Sequence, residues 1–375
     1  VAAVFVGASS VLNWWSILQL VAGCWAMLRI VRAARLAAPL ENQIDRDVTV
    51  PTISVIIPAR NEASRIRACL EAIVGASGVH EVIVVDDESS DETADIASRL
   101  GATVLNGKPL PDGWVGKAWA LHQGVQAATG EWVVTLDADA VAHPLLAQAV
   151  VQRARRDGLR FVSVGARFDC PSKGTQWLHP AMLTTLVYRY GPSGYKGKIK
   201  SDSQIANGQC MALLRRDAID HDVFTQVRGE TIEDVAIVRL VASMGWRVAM
   251  LDGSKLLTVK MFESFIDTWN GWGRSLSLAS VDNARRVFGH SIVLALAQVA
   301  PLWMLVLGVS TPVSIALLLI RVGTLFGMRR AYIQHDIWYW LSPLADTLAL
   351  LAIVRGLIRQ VFGRNATWRG RTYQQ

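Results

Sequence analysis

Two aspartates, Asp137 and Asp139, stand one residue apart where the apolar run "EWVVTL" ends. The β-branched and aromatic residues of that run predict a buried strand. In extended backbone, residues i and i+2 point to the same side, so both carboxylates are expected to face one hard cation. Mg²⁺ or Mn²⁺ suits oxygen ligands that leave positions open for phosphate. The alternative is that the pair only caps the helix predicted after it.

Further polar side chains follow two earlier apolar runs. Arg60 and Glu62 come after "TISVIIPA", and Asp86 ends "EVIVVD". Short helical patterns separate these runs, and the alternation predicts an α/β fold with a doubly wound, mostly parallel sheet. The carboxyl ends of parallel strands meet at one edge, where such sheets bind ligands. Several acids at one edge repel one another, which predicts a cation or a cationic ligand there.

The composition indicates a membrane protein. Apolar residues make up 51% of the 375 residues, more than a soluble domain of this size needs. The formal charge of +7 suits phosphorylated ligands or an anionic membrane surface. Arginines gather beside apolar segments, so no nucleic-acid partner is expected. The cysteines form no CxxC pair and no zinc spacing, and they predict a reducing compartment.

Four apolar segments flank the predicted sheet. Val11–Ile30 is long enough to span a bilayer, and the arginines after it favour an uncleaved anchor whose C-terminal side faces the cytosol. Ser291–Val309 is a second span, whereas Val313–Phe326 and Ile337–Val354 carry charges and are spanning, re-entrant or interfacial. Basic residues follow both later segments, so we expect a crossing hairpin from Ser291 to Phe326 and a last segment that dips into the bilayer or lies on it.

These patterns divide the chain into five parts and predict an integral protein of a bacterial-type plasma membrane, with the sheet domain in the cytosol. The parts are an N-terminal transmembrane anchor (1–36), the sheet domain (50–257), an amphipathic interfacial segment (258–289), C-terminal transmembrane or re-entrant helices (290–356) and a basic cytosolic tail (357–375).

Four stretches together resemble family 2 glycosyltransferases with the GT-A fold, over about Pro51 to Leu251. They are "ISVIIPARNEASRI", "VIVVDDESSDET", "GKAWALHQGVQAATGEWVVTLDADA" and "GETIEDVAIVRLVASMGWRVAML". The flanking membrane segments and the terminal "ATWRGRTY" look like the branch that glycosylates lipids. That branch includes ceramide glucosyltransferase-like, hopanoid-associated and carotenoid-type enzymes. The resemblance implies a hexosyltransferase that takes its sugar from a nucleotide diphosphate sugar, with UDP as the expected nucleotide, and passes it to a membrane lipid.

The resemblance also implies the roles of individual residues toward the donor. The residues that it assigns to the nucleotide sugar are Arg60, Glu62, Asp86, Lys117 and Asp137. Lys117 stands where the family has a basic residue near the ribose or the phosphates, although a lone lysine at a helix start is more often solvated surface. Asp137 and Asp139 match the D-x-D pair that binds Mg²⁺ or Mn²⁺ on the diphosphate.

The remaining assignments concern transfer itself. Asp234 matches the general base of inverting transfer, and its neighbour Glu233 would raise the proton affinity of the pair. An ordinary acidic first turn of a helix is the alternative. Arg274 is suited to stabilise the departing diphosphate. The stretch from Asn207 through Gly208 to Gln209 resembles the family's acceptor-side loop.

Two departures from the family pattern bear on function. The Q-x-x-R-W motif of processive members is missing from "DTWNGWGRSL", which favours a single transfer. Glu88 stands where a glycine is common after the paired aspartates. The alternatives left open are a processive polysaccharide synthase of the same family and a non-catalytic membrane adaptor on the same fold.

Overall fold

A computed structural model describes residues 2–42, 51–195, 197–278, 280–362, 366–368 and 371–373. Positions of the predicted parts that lie outside the described residues are 1, 50, 196, 279, 363–365, 369–370 and 374–375. The chain forms two compact units. The sheet unit comprises Arg35–Phe168 and Ser193–Lys260, and the helical unit comprises Val1–Ala34, Asp169–Pro192 and Met261–Gln375.

The described residues form the following elements. The strands are β1 (Ile53–Ala59), β2 (Val79–Asp86), β3 (Thr103–Asn106), β4 (Trp132–Leu136), β5 (Ala140–Ala142), β6 (Phe161–Gly165), β7 (Arg167–Asp169), β8 (Cys210–Leu214), β9 (Val248–Asp252), β10 (Leu257–Lys260), β11 (Ala366–Trp368) and β12 (Arg371–Tyr373). The α-helices are α1 (Ala2–Ile30), α2 (Ile66–Ile73), α3 (Thr93–Arg99), α4 (Gly116–Ala127), α5 (Leu146–Arg156), α6 (Lys173–Tyr190), α7 (Arg215–Asp220), α8 (Val223–Gln226), α9 (Glu233–Ser243), α10 (Phe265–Ser275), α11 (Ala284–Leu294), α12 (Ala300–Val306), α13 (Pro312–Met328), α14 (Ile337–Trp340) and α15 (Asp346–Val361).

The sheet unit is built on a seven-stranded sheet with the order β3-β2-β1-β4-β8-β6-β9. β1 pairs in parallel with β2 and with β4, whereas β8 runs antiparallel between β4 and β6. β1 and β4 are almost entirely buried, because helices cover both faces of such a sheet, and this explains their continuous apolar runs. The predicted doubly wound, mostly parallel sheet is confirmed. The antiparallel strand β8 was not predicted.

Among its described residues, the helical unit contains three helices long and apolar enough to cross a membrane. They are Asn13–Arg35, Ala284–Val306 and Pro312–Ala331. The second joins α11 to α12 through a π-helical stretch, Ala295–Val299. These three candidate spans include the predicted anchor and both arms of the predicted hairpin.

The first two candidate spans are antiparallel. The Trp15 Nε1 atom lies 2.9 Å from the Met304 Sδ atom, which pairs the start of the first span with the end of the second. At the other end, Arg29 of the first span and Arg286 of the second lie close enough for their positive charges to repel each other. The basic end of the first span and the beginning of the second therefore lie at the same end of the unit.

The third candidate span returns to that same end. Residues 307–311, "LGVST", join it to the second span and carry no charge. The third span ends with Arg329 and Arg330. Apart from Arg321, which lies in the middle of the third span, the arginines of the three spans thus lie at one end, and we call this end the arginine end of the helical unit.

The last predicted segment, Ile337–Val354, is broken into two helices. Pro343 lies in a 3₁₀ turn, Ser342–Ala345, between α14 and α15. α15 begins at Asp346, whose Oδ2 and Oδ1 atoms lie 2.8 Å from Nε and Nη2 of the buried Arg321 side chain. No membrane-long helix therefore forms in this segment, because proline interrupts it.

The predicted interfacial segment, 258–289, is not one continuous helix. It contains the end of β10, all of α10 and the first turns of α11. α10 exposes Phe265 and Ile266 while it buries Thr268 and Gly273. An apolar exposed edge on a short helix is compatible with the interfacial role, which stays a prediction.

Candidate active site

The strand ends that were predicted to carry polar groups are neighbours in the sheet. Parallel pairing sets Ala59, the last residue of β1, opposite Asp86, the last residue of β2. β4 lies on the other side of β1 and ends at Leu136, directly before Asp137. The polar groups therefore meet at one edge of the sheet, as the alternation of strands and helices predicted.

Asp86 and Glu62, the predicted nucleoside-binding acids, are largely shielded from solvent. The Asp86 Oδ1 atom is buried and has no hydrogen-bond partner among the described residues. A buried acceptor without a donor costs on the order of 1–3 kcal/mol, so this atom suits an N–H or O–H of a ligand. Glu62 is 6% exposed, its backbone N–H donates to Thr93 Oγ1 at 2.8 Å, and its carboxylate pairs with Arg65.

Hydrogen bonds connect the turns after β1 and β2. Arg60 Nη1 donates to the Asp87 carbonyl at 2.6 Å, and the Ser90 N–H donates to Asn61 Oδ1 at 2.8 Å. Asn61 and Glu88 have left-handed backbone, with φ of 55° and 56°. Such backbone costs an ordinary L-residue about 1–2 kcal/mol, and glycine avoids the cost. Glycine is common at this position in the family that the sequence resembles, and the left-handed backbone explains why. Glu88 adopts the same left-handed backbone.

The backbone after β4 turns instead of continuing as a strand. The Ala140 N–H donates to the Asp137 carbonyl at 3.0 Å, which closes a turn over Ala138 and Asp139. The prediction that extended backbone aligns the two carboxylates is therefore wrong in its local geometry, because the strand stops at Leu136.

Asp137 and Asp139 are nevertheless partly exposed carboxylates close to each other. Their side chains are 25% and 26% exposed. Burial raises the pKa of Asp137 to about 6, against the effect of Lys117, and the negative charge of Asp139 adds to the rise. Among the described residues, no group of three or more His, Cys, Asp or Glu side chains could hold a metal ion. The pair therefore fits Mg²⁺ or Mn²⁺ only as an ion that also takes phosphate and water oxygens.

Lys117 forms ion pairs with two acids of the site. It is the second residue of α4, and its Nζ atom lies 2.8 Å from Asp137 Oδ1 and 3.0 Å from Glu233 Oε1. Burial lowers the pKa of Lys117, but these two carboxylates outweigh burial and raise it, so the ammonium stays charged. Lys117 is therefore not a solvated surface residue, which was the alternative.

Glu233 and Asp234 begin α9. Asp234 Oδ2 accepts from the Gly208 N–H at 2.7 Å, and Oδ1 accepts from the Val235 N–H at 2.8 Å. Burial and the charge of Glu233 raise the pKa of Asp234 to about 7, although Lys117 and both N–H groups oppose the rise. A carboxyl group with a pKa near neutrality is able both to take up and to release a proton.

The predicted acceptor-side residues Asn207, Gly208 and Gln209 form the turn before β8. The Asp137 N–H donates to the Gln209 carbonyl at 3.0 Å, while the Gly208 N–H binds Asp234. One short turn thus contacts the D-x-D pair on one side and the acidic pair of α9 on the other. The antiparallel pairing of β8 with β4 places the turn there.

Gly208 is closely surrounded by the charged residues of the site. A Cβ atom at this position would lie 3.2 Å from each of Lys117 Nζ, Asp234 Cβ and Glu233 Oε1. Gly208 was predicted only as part of the acceptor-side loop. A signal that could have indicated its close backbone approach is a glycine between two amide residues in "ANGQC".

Two arginines, Arg274 and Arg65, also bear on the candidate site. Arg274 lies in α10 of the helical unit, and its role toward the leaving diphosphate stays a prediction. Arg65, which pairs with Glu62 and lies 3.5 Å from Asp139, was not predicted as a site residue. Its position just before α2 and three residues after Glu62 was visible in the sequence, but Asp139 belongs to another segment.

Comparison with known families identifies most of the sheet unit. The model of the family "Glycosyl transferase family 2" matches residues 54–222. Residues 54–222 are a family 2 glycosyl transferase domain. This domain contains the predicted donor and acceptor-side residues and both aspartates of the D-x-D pair. Glu233 and Asp234 lie beyond its matched range, at the start of α9.

Two curated relatives of the glycosyl transferase domain carry the same name, 4,4'-diaponeurosporenoate glycosyltransferase. The protein from Staphylococcus haemolyticus is 27% identical over 239 residues, which are 62% of this chain and 63% of the relative. The protein from Staphylococcus aureus is 43% identical over 89 residues, 24% of each chain. The alignments thus span less than two thirds of the length of these relatives.

A solved structure shares the fold over nearly the whole chain. It is a mannosyltransferase from Pyrobaculum calidifontis in complex with GDP-Man and Mn²⁺, with a TM-score of 0.57 and 20% identity over 92% of this chain and 99% of the other. The glycosyl transferase domain therefore has a mixed, mostly parallel sheet of the GT-A type.

Proposed function

We propose that this chain transfers a hexose from a nucleotide diphosphate sugar to a membrane lipid, with inversion at the anomeric carbon. The observation that supports this most directly is the connection between two acidic pairs at one edge of a family 2 domain. Lys117 joins Asp137, on the donor side, to Glu233, next to the proposed base Asp234.

On the donor side, the proposed ligand groups are the nucleoside and the diphosphate, with UDP as the expected nucleotide. The unpartnered Asp86 Oδ1 atom would accept from a base or ribose group, near Glu62 and Arg60. Asp137 and Asp139 would hold Mg²⁺ or Mn²⁺, which supplies positive charge to the departing diphosphate.

On the acceptor side, Asp234 is the proposed base. It takes the proton of the acceptor hydroxyl while that oxygen attacks the anomeric carbon from the face opposite the diphosphate. The new carbon–oxygen bond forms as the bond to the diphosphate breaks, and the electron pair leaves with the diphosphate. Arg274 is proposed to stabilise that negative charge.

The proposed acceptor is lipid-like. Both curated relatives are named for 4,4'-diaponeurosporenoate, and three helices of this chain are apolar and long enough to cross a membrane. We place the protein in a bacterial-type plasma membrane, with the sheet unit in the cytosol, where nucleotide sugars are made and the arginine end belongs by the positive-inside rule.

Transfer by detergent-solubilised protein tests the proposal. The protein is incubated with UDP- and GDP-sugars, Mn²⁺ and a bacterial lipid extract, and mass spectrometry detects the product. We expect one lipid to gain the mass of one hexose. Asp137→Asn should abolish the product, because it removes the proposed metal ligand.

Asp220→Asn is the matched control, because Asp220 is an exposed acid that pairs only with Arg216 in the described part of the chain. A ladder of products spaced by the mass of one hexose would instead indicate a polysaccharide synthase. No product with any donor, in protein that folds and binds no nucleotide, would support the non-catalytic adaptor.

A further inference from the structure

Lys117 already neutralises the carboxylate that is proposed to bind metal. Its Nζ atom is 2.8 Å from Asp137 Oδ1, within the distance of a charge-assisted hydrogen bond. A divalent cation on that carboxylate would lie beside a full positive charge. Two cations at contact distance in a partly buried site repel strongly, because the effective dielectric constant there is far below that of water.

The ammonium is also held in place from a second side. Glu233 Oε1 lies 3.0 Å from Nζ, and the Gly208 carbonyl lies 3.5 Å away. The backbone of Gly208 is packed against Nζ so closely that a single added carbon would be 3.2 Å from it. A free metal ion offers Lys117 no new partner, whereas a diphosphate brings anionic oxygens that can take the place of Asp137.

From this geometry we infer that Lys117 is the counter-ion of Asp137 until a donor binds, and that metal binds Asp137 only together with a diphosphate. The inference rests on the proposed function and adds the order in which ligands bind. The diphosphate attracts Lys117 away from Asp137, and Asp137 is then free to bind the metal that the diphosphate carries. Lys117 keeps its contact with Glu233 throughout and so becomes a positioning residue for the acidic pair of α9.

The order in which diphosphate and metal bind is tested by measuring Mn²⁺ binding to the full chain in detergent. Binding is monitored as the loss of the electron paramagnetic resonance signal of free Mn²⁺. Wild-type protein should bind Mn²⁺ weakly by itself and at least about tenfold more tightly with UDP or GDP present. Lys117→Met should bind Mn²⁺ alone at least about tenfold more tightly than wild type, and the nucleotide should no longer strengthen binding. Lys117→Gln, which keeps a hydrogen-bond donor without the charge, should behave in the same direction.

Two further variants assign the effect to the proposed atoms. Adding Asp137→Asn to Lys117→Met should abolish the increase in Mn²⁺ affinity, because the metal then loses its proposed carboxylate ligand. Lys255→Met is the matched control, because it removes the same charge from an exposed pair with Glu41, and its Mn²⁺ affinity should equal that of wild type.

The outcomes separate this inference from the proposed function. If both Lys117 variants bind Mn²⁺ no more tightly than wild type, or if the wild type binds Mn²⁺ equally with and without nucleotide, the ordered binding through Lys117 is wrong, while the proposed metal site is kept. If neither wild type nor any variant binds Mn²⁺, even with nucleotide, the proposed metal site itself is wrong, and the inference is overturned with it.

Discussion

At the scale of single residues, the carboxyl group of Asp234 combines two opposed influences. Backbone N–H groups of Gly208 and Val235 favour its charged form, while burial and Glu233 disfavour it more strongly. The result is an acid whose charge changes near neutral pH. A proton acceptor with this property works best just above its own pKa.

Transfer to a lipid hydroxyl should therefore depend on pH through Asp234. Its pKa is raised to about 7, so the deprotonated fraction falls as the pH drops below that value. We expect kcat/KM to level off above about pH 7 and to fall about tenfold per pH unit below it, in a profile from about pH 5 to about pH 9. Asp234→Asn should lower turnover about 10²–10⁴-fold.

The same measurement distinguishes two kinds of acceptor. A carboxylic acid arrives at the site already deprotonated at neutral pH, so it needs no base. If kcat/KM does not fall below about pH 7 and the Asp234→Asn protein is active, Asp234 is not the base, and transfer to a carboxylate is indicated. Asp220→Asn should leave the wild-type profile unchanged.

Residue types at the strand ends were predictable from the sequence, but their partners were not. Asp86 and Asp137 follow apolar runs, and each run ends where buried backbone must turn. The ion pair between Lys117 and Glu233 joins the start of α4 to the start of α9, which are far apart in the sequence. Such a pair depends on the tertiary arrangement of the elements, and no local pattern specifies it.

At the scale of elements, continuous apolar runs predicted the parallel strands, whereas the antiparallel strand β8 was not predicted. β8, "CMALL", is as apolar as β1, and nothing within it indicates that it pairs antiparallel. That pairing is what brings the turn of Gly208 to the site. The left-handed backbone of Glu88 was indicated only by comparison with a family pattern, because glutamate itself does not favour it.

In the helical unit, Arg321 and Asp346 tie α13 to α15 through a buried, two-point ion pair. Gln298 Nε2 donates to Asp346 Oδ1 at 2.8 Å and adds the α11–α12 span to the connection. Both charges are almost completely buried. Charged residues in these segments, which made spans doubtful from the sequence, are therefore explained by their pairing.

Removing one member of this pair should cost more than removing both. Arg321→Met leaves a buried carboxylate without its cation and should lower the free energy of unfolding by about 3–5 kcal/mol. Arg321→Met combined with Asp346→Leu should recover most of that loss, because no buried charge remains. The midpoint of thermal unfolding in detergent measures both effects.

Lys255→Met again supplies the comparison, since it breaks an exposed ion pair and should cost less than about 1 kcal/mol. Equal midpoints for Arg321→Met and Lys255→Met would show that the buried pair does not hold α13 to α15.

At the scale of the whole molecule, the positions of the arginines agree with the directions in which the three candidate spans run. The three candidate spans place Arg29, Arg286 and Arg329 at the arginine end of the helical unit, and the uncharged residues 307–311 lie at the other end. The chain between the first and second spans leaves and re-enters at the arginine end. If the spans cross a bilayer, the two ends of that stretch lie on the same side, and the positive-inside rule favours the cytosolic side, as proposed above.

Labelling of single cysteines in intact cells tests this arrangement, in a background that lacks the exposed Cys24. A membrane-impermeant maleimide should label Ser310→Cys from outside. It should label Lys255→Cys, in the sheet unit, only after the membrane is permeabilised. Labelling of Lys255→Cys in intact cells would contradict the cytosolic placement.

The overall division into apolar flanks and an α/β centre was predictable because hydrophobic length and periodicity decide it locally. The break at Ser342–Ala345 was indicated by Pro343, but the packing of α15 against α13 depends on the contact between Asp346 and Arg321. Contacts of that kind explain why the path of the last segment could not be specified in advance.

The contact between Lys117 and Asp137 has a consequence for the cell that contains this protein. If Lys117 keeps metal off Asp137 until a diphosphate binds, as inferred above, the protein stores no metal between turnovers. Its use of divalent ions would then follow the supply of nucleotide sugar, and many idle copies in the membrane would not deplete a scarce trace metal such as manganese.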